Sequence, residues 1–142
     1  MLHFQLNHLV SHYYPNLWVK WKNGDLNSEI LFSSFLISLF TSFLEEDNWY
    51  LFEFWDIIIT ERWKGMAKCL MYIIEINYDE LSKWSPTDTL KFFTEIKNDN
   101  TLSKKMKKKS FKAFIETFYF DKDLFHDLEN KYNVIKESIK IL

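Results

Sequence analysis

Glycine and proline are nearly missing from this chain, with two of each in 142 residues. So few turn-formers exclude collagen-like chains, Gly-rich linkers and turn-dense all-β folds, and they exclude a phosphate loop that needs several glycines close together. Cysteine is almost missing too. The single Cys69 excludes a disulfide framework and any Cys-based zinc site, and one free thiol fits a reduced, cytoplasmic setting. Of the 18 basic residues only Arg62 is an arginine. Long apolar runs are absent as well. The longest stretch free of acids, bases and histidine, Ile30–Leu44, is fifteen residues with five Ser or Thr among them, whereas a bilayer span needs roughly 20 apolar residues. Residues Met1 to Tyr14 carry no basic region followed by an apolar core, so neither a leader peptide nor a membrane partner is expected.

Catalytic and metal-binding patterns are scarce for the same reason. His8 and His12 are four apart and would share a helix face, but no third ligand accompanies them and no glutamate lies between them. Asp123 and His126 make one acid–histidine pair where a di-iron bundle needs two pairs and two further glutamates. Glu45 and Glu46 are adjacent and point apart. Cys69 lies among Met66 and Ile73 on an apolar stripe, the setting of an inert thiol rather than a nucleophile. The expectation is a non-enzyme with no metal and no cofactor.

What remains is apolar and unevenly charged. Hydrophobic residues make up 47% and charged residues 27%, enough to build one folded domain over 1–142. The net charge of −2 conceals two opposed blocks. Residues 45–61 hold Glu45, Glu46, Asp47, Glu53, Asp56 and Glu61 with no base, and residues 104–112 hold Lys104, Lys105, Lys107, Lys108, Lys109 and Lys112 with no acid. Blocks of this kind create local fields that act on partners.

The spacing predicts a mainly α, single-domain bundle of five to seven helices. Leu2 to Tyr14 reads as a short helix stopped by Pro15. Leu17 to Lys22 alternates weakly before Asn23-Gly24, which suggests a small hairpin near residues 17–26. Ile30–Leu44 is a helix capped by Asn27 or Ser28, with a narrow polar stripe. Residues 49–60 are aromatic and β-branched, which by propensity alone suggests a strand, yet Glu53 and Asp56 share a face only on a helix, and that phase continues over 48–80. The opposite stripe is Leu51, Trp55, Ile58, Arg62, Met66, Cys69, Ile73 and Ile76, so this tract is one long helix or two that meet near Gly65. Arg62 on the inner stripe requires a carboxylate partner, which is preferred, or a helix break. Ser85-Pro86-Thr87-Asp88 is an N-cap, a proline at the first helical position and an acid in the first turn, opening a helix to about Lys97. Phe111, Phe114, Ile115 and Phe118 form the next apolar stripe. Asp121 or Asp123 caps a last helix with Leu124, Leu128, Tyr132, Ile135 and Ile139 inward.

The acidic–aromatic run from Glu45 to Asp56 places Trp49 on the face of Glu46, Glu53 and Asp56, while Trp55 turns to the core. An exposed indole ringed by carboxylates has the composition of an interface hot spot, and the acids steer a basic partner toward it. This run resembles, in type, the binding faces of bacterial immunity proteins that neutralise cognate toxin domains, including those of contact-dependent inhibition systems. The resemblance covers residues 45–61 and the helical, cysteine-poor design. It implies a non-catalytic inhibitor that binds a basic, nuclease-like toxin stoichiometrically, with Glu45, Glu46, Asp47, Glu53 and Asp56 mimicking phosphate charge and Trp49 anchoring the contact. Three other readings compete: a nucleic-acid-binding or phage-type regulatory module using Lys104–Lys112, a helical scaffold subunit, and an enzyme with a polar pocket not legible in the sequence. A nucleic-acid partner is disfavoured, because the lysines cannot all lie on one helix face.

Overall fold

The structure is a computed structural model that describes residues 2–37, 48–94, 105 and 109–141. The described residues are mostly helical, with no strand among them. Helix α1 spans Leu2–Tyr13, α2 Pro15–Asn23, α3 Ser28–Ile37, α4 Asn48–Glu61, α5 Trp63–Ile76, α6 Tyr78–Lys83, α7 Pro86–Thr94, α8 Phe111–Thr117 and α9 Lys122–Ile141. That is nine segments among the described residues, against the five to seven expected. The excess has one cause: α1 and α2, α4 and α5, and α5 and α6 are each joined by a single residue, Tyr14, Arg62 and Asn77 respectively.

Pro15 occupies the first helical position of α2, where its missing N–H costs nothing. The Tyr14 backbone at φ −133° bends the chain there, while Tyr14 N–H still donates to the Val10 carbonyl at 2.8 Å. The hairpin expected near residues 17–26 is therefore a helix followed by a turn. The burial pattern gives the reason: Leu17 and Trp21, four apart, are buried, whereas Val19 between them is 57% exposed. A strand would have put all three on one face. Asn23-Gly24 ends α2 instead of joining two strands. Leu26 N–H reaches back to Trp21 O at 2.8 Å and Asp25 N–H to Lys22 O at 3.1 Å, the paired bonds of a Schellman cap. Asp25 holds the left-handed position, at φ 60°, that glycine usually takes. Gly24 is required for a different reason, since a Cβ there would lie 2.5 Å from Pro86 Cγ.

Asn27 caps α3 by accepting from Ile30 N–H at 3.0 Å. Asn7 accepts from Ser28 N–H at 2.9 Å and His3 bonds the Ser28 hydroxyl at 3.0 Å, which ties the start of α3 to α1. Phe32 and Phe35 of α3 meet Phe93 of α7 at ring separations of 5.1 and 5.6 Å, and Trp21 closes the cluster 5.9 Å from Phe93. Ser85 caps α7 as expected, accepting from Asp88 N–H at 3.2 Å.

The tract from residue 48 is helical and breaks into two antiparallel helices. Gly65 abuts the backbone of Ile57, Cys69 lies beneath the Phe54 carbonyl at 4.0 Å, and the Phe54 and Tyr72 rings are 6.0 Å apart. The break is at Arg62, not Gly65. Arg62 takes φ 57° and ψ −124° and its side chain is exposed, so of the two solutions for this residue the chain adopts the break rather than a buried ion pair. Leu51, Ile58, Cys69 and Ile73 are buried as the stripe predicts, with Trp55, Met66 and Ile76 half-buried. Helix α5 is the centre of the molecule, with Ala67 and every residue from Cys69 to Ile74 buried. Helix α8 covers it through Phe111 and Phe114, whose rings lie 5.2 and 5.4 Å from Tyr72. Asp121 caps α9, accepting from Asp123 and Leu124 N–H at 3.0 and 3.1 Å. The inner line of α9 is followed only at its start: Leu128 is buried and Leu124 and Tyr132 are half-buried, but Ile135 and Ile139 are exposed. Among the described residues no helix is long and apolar enough to cross a membrane.

Candidate functional site: an acidic groove beside helix α4

Helix α4 is buried on one side by Leu51, Phe54 and Ile58, and its opposite side carries Phe52, Asp56 and Ile59. Phe52 is 55% exposed and Ile59 is 78% exposed. They are seven apart, two turns of one face, with Asp56 between them. Phe52 meets the half-buried Trp55 edge-on at 6.0 Å. An apolar surface with a carboxylate at its middle thus faces solvent.

An open groove of about 470 Å³ runs alongside this face, between α4, the start of α5 and α8. Ile57, Phe111 and Ile115 give it an apolar floor, and Glu53, Asp56, Glu61 and Glu116 line it with four carboxylates. Two cations answer them, Lys68 and Lys112. Lys68 is committed: its Nζ donates to both oxygens of Glu61 at 2.9 and 3.0 Å and lies 5.2 Å from the Phe120 ring. An excess of negative charge over an apolar floor is suited to an amphipathic, basic segment of a protein.

Of the acidic residues singled out in the sequence, Glu53 and Asp56 meet on the wall of this groove. Glu45, Glu46 and Asp47 lie outside the described residues, as does the side chain of Trp49, whose backbone is in the first turn of α4. Sequence reasoning missed Glu116, Phe52 and Ile59. The seven-residue spacing of Phe52 and Ile59 was a usable signal. Glu116 was not detectable, because only the packing of α8 brings it to α4.

Of the described lysines of the block, Lys105 and Lys109 are paired and Lys112 is exposed. Lys104, Lys107 and Lys108 lie outside the described residues. Lys105 Nζ bonds Glu80 at 2.6 Å and Asn77 Oδ1 at 2.8 Å. That hydrogen bond holds the Glu80 carboxyl below its usual range. Lys109 Nζ lies 3.4 Å from Glu75 and 5.9 Å from the Phe114 ring, and its carbonyl accepts from Tyr72 Oη at 2.6 Å. Lys112 is exposed and stands on the acidic groove. So the anions that relieve two of the six lysines are Glu75 and Glu80, the chain's own.

Tyr14, Cys69, His8 and His3 lie in packed or hydrogen-bonded settings. Tyr14 Oη donates to Glu75 Oε2 at 2.7 Å, and burial, reinforced by that carboxylate, raises the phenol far above its usual value. Burial likewise pushes the Cys69 thiol well up. His8 Nδ1 donates to the Phe4 carbonyl at 2.9 Å, and burial lowers His3. Among the described residues no three His, Cys, Asp or Glu side chains gather as a metal site would need.

Comparison of the chain with protein-family models, with curated proteins and with solved structures finds no match in any of the three.

Proposed function

We propose that this chain is a non-catalytic protein inhibitor of the immunity type, which neutralises a basic toxin domain, nuclease-like in charge, by occupying its substrate surface. The observation that carries the reading is the α4 face with its groove. Phe52 and Ile59 supply exposed apolar anchors around Asp56, and Glu53 and Glu116 line the adjoining cleft. Apolar anchors within a negative rim serve both affinity and steering toward a cationic partner. The use of Lys105 and Lys109 by Glu80 and Glu75 argues against a phosphate-binding role for the lysine block.

The test is co-expression with the protein encoded beside this gene, followed by size-exclusion chromatography and titration calorimetry of the purified pair. The expected result is a 1:1 complex and relief of the neighbour's toxicity. Phe52→Ala and Asp56→Lys alter exposed side chains and should leave the fold intact. Each is expected to weaken the complex by about 2 kcal/mol, roughly 30-fold. Unchanged binding by both variants would remove the α4 face from the interface. Binding of duplex DNA or RNA at physiological salt, with a steep salt slope, would replace the inhibitor reading with a nucleic-acid one.

A further inference from the structure

A second surface lies apart from the groove, on the outer half of α9. Phe125, Leu128, Tyr132, Ile135 and Ile139 follow one another at intervals of three, four, three and four residues. That alternation is the seam of a coiled coil. The seam begins inside the molecule: Phe125 and Leu128 are buried, and Phe125 meets the Trp63 ring at 5.7 Å. It then runs out of the body. Every side chain from Asn133 to Lys140 is exposed, and Ile139 is 64% exposed. A helix whose apolar line continues exposed for two turns past its last partner among the described residues is suited to being covered by something else.

We propose that this stretch is a self-association surface on which two copies of the chain pack their α9 helices antiparallel. The flanking charges select both the occupant and its direction. Glu129 and Lys136 border the seam on one side, Lys131 and Ser138 on the other. In a parallel pair, Lys131 of one copy meets Lys136 of the next, and like charges oppose each other at the rim. In an antiparallel pair, Lys136 meets the Glu129 carboxylate of the other copy, and the two-fold axis repeats that contact. Lys131 then faces the neutral Ser138. Glu129 is already oriented at the base of the seam, where its Oε1 accepts from Trp63 Nε1 at 3.1 Å and pairs with Lys64 at 3.3 Å. The exposed overlap is short, about one heptad, so the dimer is weak and concentration-dependent.

Sedimentation velocity on the full chain, from about 10 μM to about 1 mM, reads this directly. A monomer–dimer equilibrium is expected across that range. Ile135→Lys with Ile139→Lys should weaken the dimer at least tenfold with helix content unchanged, since both residues are exposed. Charge reversal tests the direction without touching the seam. Lys136→Glu should weaken the antiparallel pair severalfold by placing two carboxylates together, and Lys131→Glu should leave it within about twofold. A monomer at every concentration overturns the proposal, and so does a dimer that survives the paired isoleucine change. A dimer strengthened by Lys136→Glu overturns it too, because a parallel pair responds in that sense.

Discussion

Replacing Gly65 by alanine sets two physical effects against each other, and the structure decides the sign. Alanine is the better helix former, and in a helix interior the exchange gains up to about 1 kcal/mol. Here the new methyl would lie 2.4 Å from the Ile57 carbonyl oxygen, 2.7 Å from its carbonyl carbon and 2.9 Å from Ile58 Cα. Favourable contacts lie near 3.5–4.0 Å, so the α4 backbone would have to retreat by roughly 1 Å. No flexible side chain is available to absorb the shift, because all three atoms are main chain. Overpacking of this kind costs about 1–3 kcal/mol. The balance is a net loss of up to about 2 kcal/mol, and at about 3 °C per kcal/mol for a domain of this length the melting temperature should fall by up to roughly 6 °C. Thermal and urea unfolding followed by circular dichroism measure it, with an unchanged denaturant slope expected. A melting temperature equal to or above that of the parent would refute the close crossing of α4 and α5, because propensity alone would then be acting.

Two further outcomes follow from local geometry. Asp25→Gly relieves the left-handed residue of the α2 cap and should raise stability by about 1 kcal/mol, read as a higher urea midpoint; a loss would show that Asp25 is held there by more than its backbone. The raised Tyr14 phenol stabilises the fold below the ordinary tyrosine pKa near 10, and that contribution is lost as pH rises beyond it, since the unfolded chain ionises first. Tyr14→Phe should therefore flatten the alkaline decline of stability between about pH 10 and 12, while costing about 1.5–3 kcal/mol at neutral pH through the donor lost from Glu75. An unaltered alkaline limb would assign that decline to other groups.

The capping chemistry was legible in the sequence because it is local. Asn27, Ser85 and Asp121 each bond a backbone N–H two or three residues onward, within the reach of a short side chain. The breaks at Tyr14, Arg62 and Asn77 were less so. Pro15 announced the first. Nothing about an arginine announces φ 57°, and the helical phase carries across the break because two antiparallel helices sharing one core both turn their apolar stripes inward. The hairpin near residues 17–26 is a helix because Leu17 and Trp21, four residues apart, share the buried face, a spacing that six residues of weak alternation obscure. Half of the groove was legible, since Glu53 and Asp56 lie in a stretch without bases. The other half depends on α8, more than fifty residues away in the chain. The partners of Lys105 and Lys109 were hidden for the same reason, being 28 and 34 residues distant at Asn77 and Glu75.

Cys69 has a use that its chemical inertness provides. It is wholly buried beneath the Phe54 carbonyl, on the seam where α4 lies against α5, and its thiol is disfavoured as thiolate. A thiol reagent can reach it only when the packing around it opens, and α4, whose Phe54 carbonyl lies over it, is one wall of that packing. With a single cysteine in the chain, labelling under native conditions times that opening, free of signal from any other thiol. The interior sulfur is thus a clock for the wall of the groove, and its labelling should slow when a ligand clamps α4 in place.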